Sequence, residues 1–394
     1  MLPEPRTGEF GRLEQALAEP PDEADQRAGR WLLDRAGDGP WILHGAGNLG
    51  RQIYAHMQSC GAKILAVTDG DPDRVGVPIG HHHVLAPAEA LEQWGAEAAT
   101  LVTICNTRHS FQATARRLQP LSKGPVLPVQ GYFWRHPEAF LPYFAFDLPS
   151  RLLRAREDLL RTAALFADPL SRRQYEGQVA WRLALDFDLL PLAHPETQYF
   201  DPDLRPKALD GVFVDCGAFD GDTLRELMAI YGSGLTGAIA YEPDPANFQR
   251  LQAWAHGLPP EIRDRIDCRE AALSDQKGWL CFQGGNDGGS KLAEAGGSRV
   301  RAVRLDEDLS GLTVGWLKMD LEGQELQALA GSLLLPRPEH RTYTISMYHR
   351  SDDLWAIPGF FAKHLPAHSL HLRTHGEDGF DVVCYALPPA VPTS

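Results

Sequence analysis

The chain has 394 residues, 43% hydrophobic and 23% charged, a length that outgrows one compact core and predicts two or three domains. Its formal net charge of −14 argues against a polyanionic partner such as nucleic acid, whose affinity comes from lysine and arginine on phosphate. No apolar run is long enough for stable membrane insertion, and the opening MLPEPRTGEF has neither the basic start nor the apolar segment of a secretory signal.

In chain order, residues 1–38 read as short helices broken at Pro20 and Pro21. Strands and helices then alternate over 39–130. WILHG, KILAVTD and TLVTIC are strands; NLGRQIYAHMQSCG, AEALEQWGA and RHSFQATARRLQ are helices. This pattern predicts a small parallel α/β, Rossmann-like domain. His81, His82 and His83 fall in a loop between these elements, since three consecutive residues cannot face one metal. Segment 131–205 is a helical connector, in which FDLPSRLLRAREDLLRTAALF and SRRQYEGQVAWRLALDF set arginines against leucines. A basic membrane-surface helix is the alternative for that pattern. From 206 to 394 a second alternating set runs through GVFVDCG, GAIAYEPD, RIDCREAAL, GWLKMDLEG and RTYTISMYH. It closes on a hairpin of HSLHLRTHG and FDVVCYALP, with KGWLCFQGG and SRVRAVRLDE as an inserted pair and GGNDGGSKLAEAGGS as a mobile loop. Six scattered cysteines, none in a C-x-x-C pair, predict reduced thiols and a cytoplasmic protein.

The first glycine turn, HGAGNLG, places Gly45, Gly47 and Gly50 in the G-x-G-x-x-G pattern between a strand and a helix. Asp69 ends the next strand, about 20 residues on, where a ribose-binding acid is expected. A nucleotide site here and a fold that keeps its glycines only for packing both remain open. No catalytic domain with a tyrosine–lysine pair follows, so a dehydrogenase reading lacks its chemistry.

The second turn, FVDCGAFDGDT, ends a buried strand on Asp215 and sets Gly217 and Gly221 around further acids. Ligands of doubly wound sheets bind beyond the carboxyl ends of the strands at such a turn. The glycines are expected to clear Cβ atoms from a ligand's path. Asp215, Asp220 and Asp222 would repel a pyrophosphate and suit a ligand with amine and sulfonium charge. Glu242 ends the following strand, where a carboxylate can take both ribose hydroxyls. This combination points to S-adenosylmethionine.

FVDCGAFDGDT, IAYEPDPANFQRL, REAALSDQKGWLCF, VRLDEDL and LKMDLEGQELQALAGS, in this order and spacing, resemble the FkbM-type methyltransferase family over residues 199–387. The resemblance implies a C-terminal seven-stranded Rossmann-like methyltransferase sheet with an antiparallel last strand. It implies methyl transfer to hydroxyl oxygens of sugars, polysaccharide-linked residues or polyketide-like products. Asp215, Gly217 and Gly221 then correspond to the methionine-side loop, and Asp222 and Thr223 to the carboxylate or amine end. Glu242 matches the ribose acid, and Ala272 and Ser274 match the adenine-lining segment. Asp320 and Glu322 match the acidic motif beside the transferred methyl, the alternative for Asp320 being a helix N-cap. His349 matches a histidine after strand five, although many members carry an acid where this chain has Met347. Asp320, Glu322 and His349 are the candidates for the base. They could also hold a divalent cation, but as a set read from sequence they are too loose to assign a metal.

The expected protein is thus an S-adenosylmethionine-dependent O-methyltransferase, with a small-molecule or carbohydrate acceptor and a nucleotide-type ligand or a dimer contact at its N-terminal domain. Self-association into a homo-oligomer is allowed. The alternatives are an NAD(P)-dependent sugar-nucleotide oxidoreductase working from the first turn, and a non-enzymatic nucleotide-sensing scaffold.

Overall fold

The computed structural model describes residues 11–283, 291–293 and 298–390. The N-terminal sheet consists of β1 (Trp41–His44), β2 (Ile64–Thr68), β3 (Pro78–Ile79), β4 (His82–Leu85), β5 (Ala99–Val102) and β6 (Val126–Pro128). Its order is β3-β4-β2-β1-β5-β6, parallel throughout except for the short β3–β4 pair. All four residues of β1 are buried, as expected of a central strand covered on both faces. The order reverses beside β1, so the crevice of this sheet opens at the turn after His44. The sequence reading missed β3, β4 and β6, which span only two to four residues each. His82 and His83 lie on β4 rather than in a loop, and His82 Nδ1 pairs with the Tyr54 hydroxyl at 3.0 Å.

The second sheet takes its strands from β7 (Val212–Cys216), β8 (Ala238–Tyr241) and β9 (Ile266–Arg269). Next come β10 (Ala272–Leu273), β11 (Gly278–Gln283), β12 (Lys291–Ala293) and β13 (Ser298–Val303), then β14 (Val314–Met319), β15 (Thr342–Ser346), β16 (Ser369–Thr374) and β17 (Val382–Leu387). Seven of them form one sheet in the order β16-β17-β15-β14-β7-β8-β9. Only β17 runs antiparallel to its neighbours, the geometry expected of the closing hairpin. The inserted pair is present as antiparallel β11 and β13, in a separate four-stranded sheet with β10 and β12. The run read as a single third strand divides: β9 ends at Arg269, and β10 leaves to pair with β13. Of the glycine-rich stretch expected to be mobile, most lies outside the described residues.

Helices Val129–Arg135, Pro149–Arg154, Arg156–Leu165 and Pro169–Ala184 join the two sheets. They pack on protein: Ala167 N donates to Leu370 O of β16 over 2.8 Å. Arg182, which the membrane-surface alternative would have placed outward, is 1% exposed. It donates to the carbonyls of Gln178, Ala145 and Gly379. One cluster of buried apolar side chains runs from Leu43 through Phe133 to Val214 and Ile345, so helices and sheets share a continuous interior.

The loop between β16 and β17 meets the N-terminal sheet beyond β5. Both oxygens of Asp378 accept from Phe111 N, at 2.9 and 3.1 Å, and His109 Nδ1 lies 3.6 Å away. The Tyr143 hydroxyl donates to Cys105 O over 3.2 Å. The carboxyl ends of the two sheets are therefore turned toward a common boundary.

Candidate active site at the carboxyl end of the C-terminal sheet

The turn after β7 is shaped by its protein neighbours. Gly217 has φ +84°, and a Cβ there would stand 2.0 Å from the carbonyl oxygen of Asp320. Gly221 has φ +90°, and its Cβ would meet the Trp254 ring at 2.7 Å. Both positions need glycine, but the space a Cβ would occupy is already taken by the chain itself. This corrects the expectation that a ligand fills it. Helix Asp222–Tyr231 starts directly after Gly221. Asp222 is exposed and caps Thr223 N over 2.8 Å, while Thr223 is buried.

The acids around this turn are not all available to attract a cationic ligand. Asp215 is fully buried, and its carboxylate lies 2.9 Å from Lys318 Nζ on β14. That ammonium also donates to Gly217 O over 2.8 Å. Burial pushes the Asp215 carboxyl up to about 6, partly offset by Lys318. Burial also works against the charge on Lys318, but Asp215 and Asp320 outweigh it and hold the amine above its ordinary value. Asp220 pairs with Arg225. A sulfonium-selecting ring of three carboxylates is thereby reduced to Asp222, with Asp320 and Glu322 across the turn.

Glu242 follows β8 directly and is 5% exposed. Its Oε2 accepts from Phe219 N at 2.8 Å and its Oε1 from Asp244 N at 2.9 Å, which ties the glycine turn to the neighbouring strand end. Burial pushes this carboxyl up to about 7, against those two bonds. Ala272 lies in the cluster under the small sheet with Val300. Ser274 is buried; its hydroxyl bonds Asp275 at 3.2 Å, and its carbonyl lies against Gly331.

Asp320 lies just past β14, and the side chains around it come from distant parts of the chain. The Tyr199 hydroxyl donates to its Oδ2 over 2.7 Å, and the Tyr348 hydroxyl to Oδ1 over 3.4 Å. His349 Nε2 lies 3.2 Å from Asp320 Oδ1 and 3.9 Å from Glu322 Oε2. His349 Nδ1 is held at 2.8 Å by the buried Glu325, whose Oε1 also accepts from Leu321 N. Asp320 does not cap the following helix, Glu325–Ala330, whose N-cap residue is Gln324. Glu322 and Gly323, at φ +51° and +94°, form the left-handed bend that brings Glu325 back under His349. Burial opposes a charge on His349, but Glu325 and Asp320 on its two sides more than offset it and hold its pKa well above the usual value. Burial alone would raise Asp320; His349, Lys318 and Tyr199 instead hold it well below the carboxylate range. Asp381, between β16 and β17, is pushed up to about 7 by burial and by the charge of Asp320. Sequence reasoning did not single out Tyr199, Lys318, Glu325, Tyr348 or Asp381. Lys318 and Glu325 flank the quoted KMDLEG acids, and their carriage on a strand end and a helix start was the only available signal.

The first glycine turn reproduces the device seen at Glu242. Asp69 Oδ2 accepts from Ala46 N at 2.8 Å and Oδ1 from Asp71 N at 2.9 Å. A Cβ on Gly50 would collide with Gly45 O at 1.8 Å, and one on Gly45 with Ile104 at 2.5 Å. At Gly47 the neighbour is the guanidinium of Arg74, 3.0 Å from the Cβ position and 3.4 Å from Asp69.

A seven-stranded sheet with one antiparallel strand, a glycine turn after its first strand and an acid after its second are in keeping with the class of S-adenosylmethionine-dependent methyltransferases. More particularly, the profile of the methyltransferase FkbM domain matches residues 215–367. The structure is similar to the methyltransferase FkbM from Methylobacillus flagellatus KT, with a TM-score of 0.71 at 19% identity, over 94% of this chain and 100% of that one. At that identity the likeness is one of fold, and it extends to the N-terminal sheet. A putative rRNA methylase from Clostridium thermocellum aligns with a TM-score of 0.34 at 10% identity, over 51% of this chain and 100% of the other. Aeropyrum pernix fibrillarin, with natively bound S-adenosyl-L-methionine, aligns with a TM-score of 0.30 at 14% identity, over 46% and 69%. No curated protein matches the chain in sequence.

Proposed function

We propose that this methyltransferase delivers its methyl group to a hydroxyl oxygen of a small molecule or carbohydrate: a sugar, a glycoconjugate or a natural product. The observation that carries the reading is the Asp320–His349 pair, 3.2 Å apart at the end of β14, on the strand next to the glycine turn. Methyl transfer is an in-line displacement whose leaving group is already positive, so the protein's tasks are to align the acceptor and to take its proton. A hydroxyl needs that proton removed far more than a neutral amine does, and a cluster of acids with a histidine suits the need.

In this reading Asp215, with Lys318 as its counter-ion, fixes the base of the turn. Gly217, Gly221, Asp222 and Thr223 hold the methionine end of the cofactor. Glu242 accepts from the ribose hydroxyls, and Ala272 and Ser274 border the adenine. Asp320, Glu322 and His349 face the acceptor. In this reading a carboxylate is the receiving group, and the imidazole, held at Nδ1 by Glu325, orients it. Incubation with methyl-labelled S-adenosylmethionine and a carbohydrate fraction tests this. Alkali-stable label, as expected of an ether, supports the reading; label confined to amines or alkali-labile esters overturns it.

A second element concerns the N-terminal sheet, read as residues 39–130, joined through 131–205 to a catalytic unit of 206–394. The matched hydrogen bonds at Asp69 and Glu242, with Arg74 beside Gly47, favour a nucleoside ligand with a phosphate tail, such as the activated part of a nucleotide-linked acceptor. Titration with uridine diphosphate, and its loss in Asp69→Ala with S-adenosylmethionine binding intact, is the expected result; no binding of any nucleotide would leave this sheet a packing and dimerisation unit. All six cysteines are free, in keeping with a cytoplasmic setting, and among the described residues no helix is long and apolar enough to cross a membrane.

A further inference from the structure

One donor atom each from Asp320, Glu325 and His349 lies within 4.8 Å of the others. The imidazole is gripped from one side only. Nδ1 is held at 2.8 Å by Glu325, itself 1% exposed. Nε2 is buried and, among the described residues, has no hydrogen bond of sound geometry, although Asp320 Oδ1 is 3.2 Å away and Glu322 Oε2 3.9 Å. The second oxygen of Glu325 is likewise buried without a hydrogen-bond partner. A buried nitrogen aimed at two carboxylates, its other nitrogen fixed by a third, is the arrangement of a carboxylate–histidine–metal site. The side chains of Asp320 and Glu322 each keep 26% of their surface exposed, so the site has an open side from which ion and acceptor can enter.

We propose that His349 Nε2 and Asp320 bind one divalent cation of the Mg2+/Mn2+ class, with Glu325 orienting the imidazole and Glu322, 3.9 Å from Nε2, flanking the site. Oxygen donors suit these hard ions, and one imidazole does not exclude them. The proposal takes its purpose, though not its geometry, from the hydroxyl-methylation reading. A sugar hydroxyl is a weak acid, and a carboxylate alone takes its proton steeply uphill; a cation beside the oxygen lowers that barrier, as bound metal lowers the pKa of water. The O–CH3 bond then forms as the S–CH3 bond breaks, S-adenosylhomocysteine leaves, and the hydroxyl proton passes to the carboxylate and from it to solvent at the open side.

The test is a Mn2+ titration of the full chain near neutral pH, followed by loss of the free-ion electron paramagnetic resonance signal, without S-adenosylmethionine. One saturable Mn2+ per chain is expected. It should be lost in His349→Ala and Asp320→Asn, weakened at least about 10-fold in Glu322→Gln, and weakened about 10- to 100-fold in Glu325→Gln. It should be unchanged in Asp264→Asn, whose side chain is remote and 71% exposed. Circular dichroism and S-adenosylmethionine affinity confirm that each variant is folded. No saturable binding at millimolar Mn2+, binding that survives His349→Ala in the folded protein, or a site filled by Zn2+ but not Mn2+ overturns the proposal. Mn2+ binding without S-adenosylmethionine binding would sink the methylation reading and leave the cation site standing; the reverse pattern would do the opposite.

Discussion

Tyr199 donates its hydroxyl to Asp320 Oδ2 over 2.7 Å, so a residue from the segment between the sheets completes the acid at the end of β14. The same hydroxyl lies 3.1 Å from Ser346 Oγ on β15. Tyr199→Phe removes a buried donor to a charged group and is expected to cost about 1–3 kcal/mol. Equilibrium urea denaturation checks it; no change in the midpoint would mean that Asp320 finds another donor at no cost.

Lys318 and Asp215 are both within the sheet, 2% and 0% exposed. Breaking such a pair leaves one charge buried and uncompensated, so Lys318→Met should cost about 3–5 kcal/mol. The double variant Asp215→Asn, Lys318→Met should recover most of that loss. Denaturant midpoints of the wild type, the two single variants Lys318→Met and Asp215→Asn, and the double variant give the coupling, and simple additivity would refute the pairing.

Gly217 and Gly311 share φ +84°, but only Gly217 has a neighbour in the way, the Asp320 carbonyl at 2.0 Å; nothing lies within 4 Å at Gly311. Gly311→Ala should cost about 1–2 kcal/mol, the left-handed strain alone. Gly217→Ala adds an overpacking penalty of about 1–3 kcal/mol or more and should weaken cofactor binding too. Equal losses in the two variants would show that β14 yields easily at Asp320.

Glu242 should make S-adenosylmethionine binding depend on pH. Its carboxyl is pushed up to about 7, so the form that accepts from ribose hydroxyls grows as pH rises through 7. Calorimetric affinity is expected to improve about tenfold from pH 6 to 8, and Glu242→Gln should abolish the trend. Glu242→Ala should weaken binding about 10- to 100-fold, the worth of hydrogen bonds to a charged group. The sign for stability is opposite. A raised carboxyl keeps its proton in the folded chain after the unfolded chain has lost it, so its contribution to stability is present at low pH and declines as pH rises from near 4.5 through 7.

Much of the architecture was legible from local pattern. A run such as IAYE is apolar until its last residue because a doubly covered parallel strand meets water only at its end, and this placed Glu242, Asp69 and Asp320 at strand ends, whereas Asp215 lies within β7 and is fully buried. Elements of two or three residues, such as β3 and β10, carry too few side chains for any period to register.

What each acid does at its strand end was not written locally. Asp215 and Asp222 look alike in the sequence, yet one is neutralised by Lys318 opposite it on the adjacent strand β14 and the other is exposed. Gly217 read as room for a ligand because its true neighbour, the carbonyl of Asp320, lies about a hundred residues further along the chain. Tyr199, Glu325 and His349 meet at Asp320 only once the helical segment, β14 and β15 have packed. Strand and helix order follow from the alternation of neighbours along the chain. Charge state and partnership depend on distance and burial in three dimensions, because Coulomb energy rises steeply as water is excluded, and that exclusion is a property of the packed sheet edge.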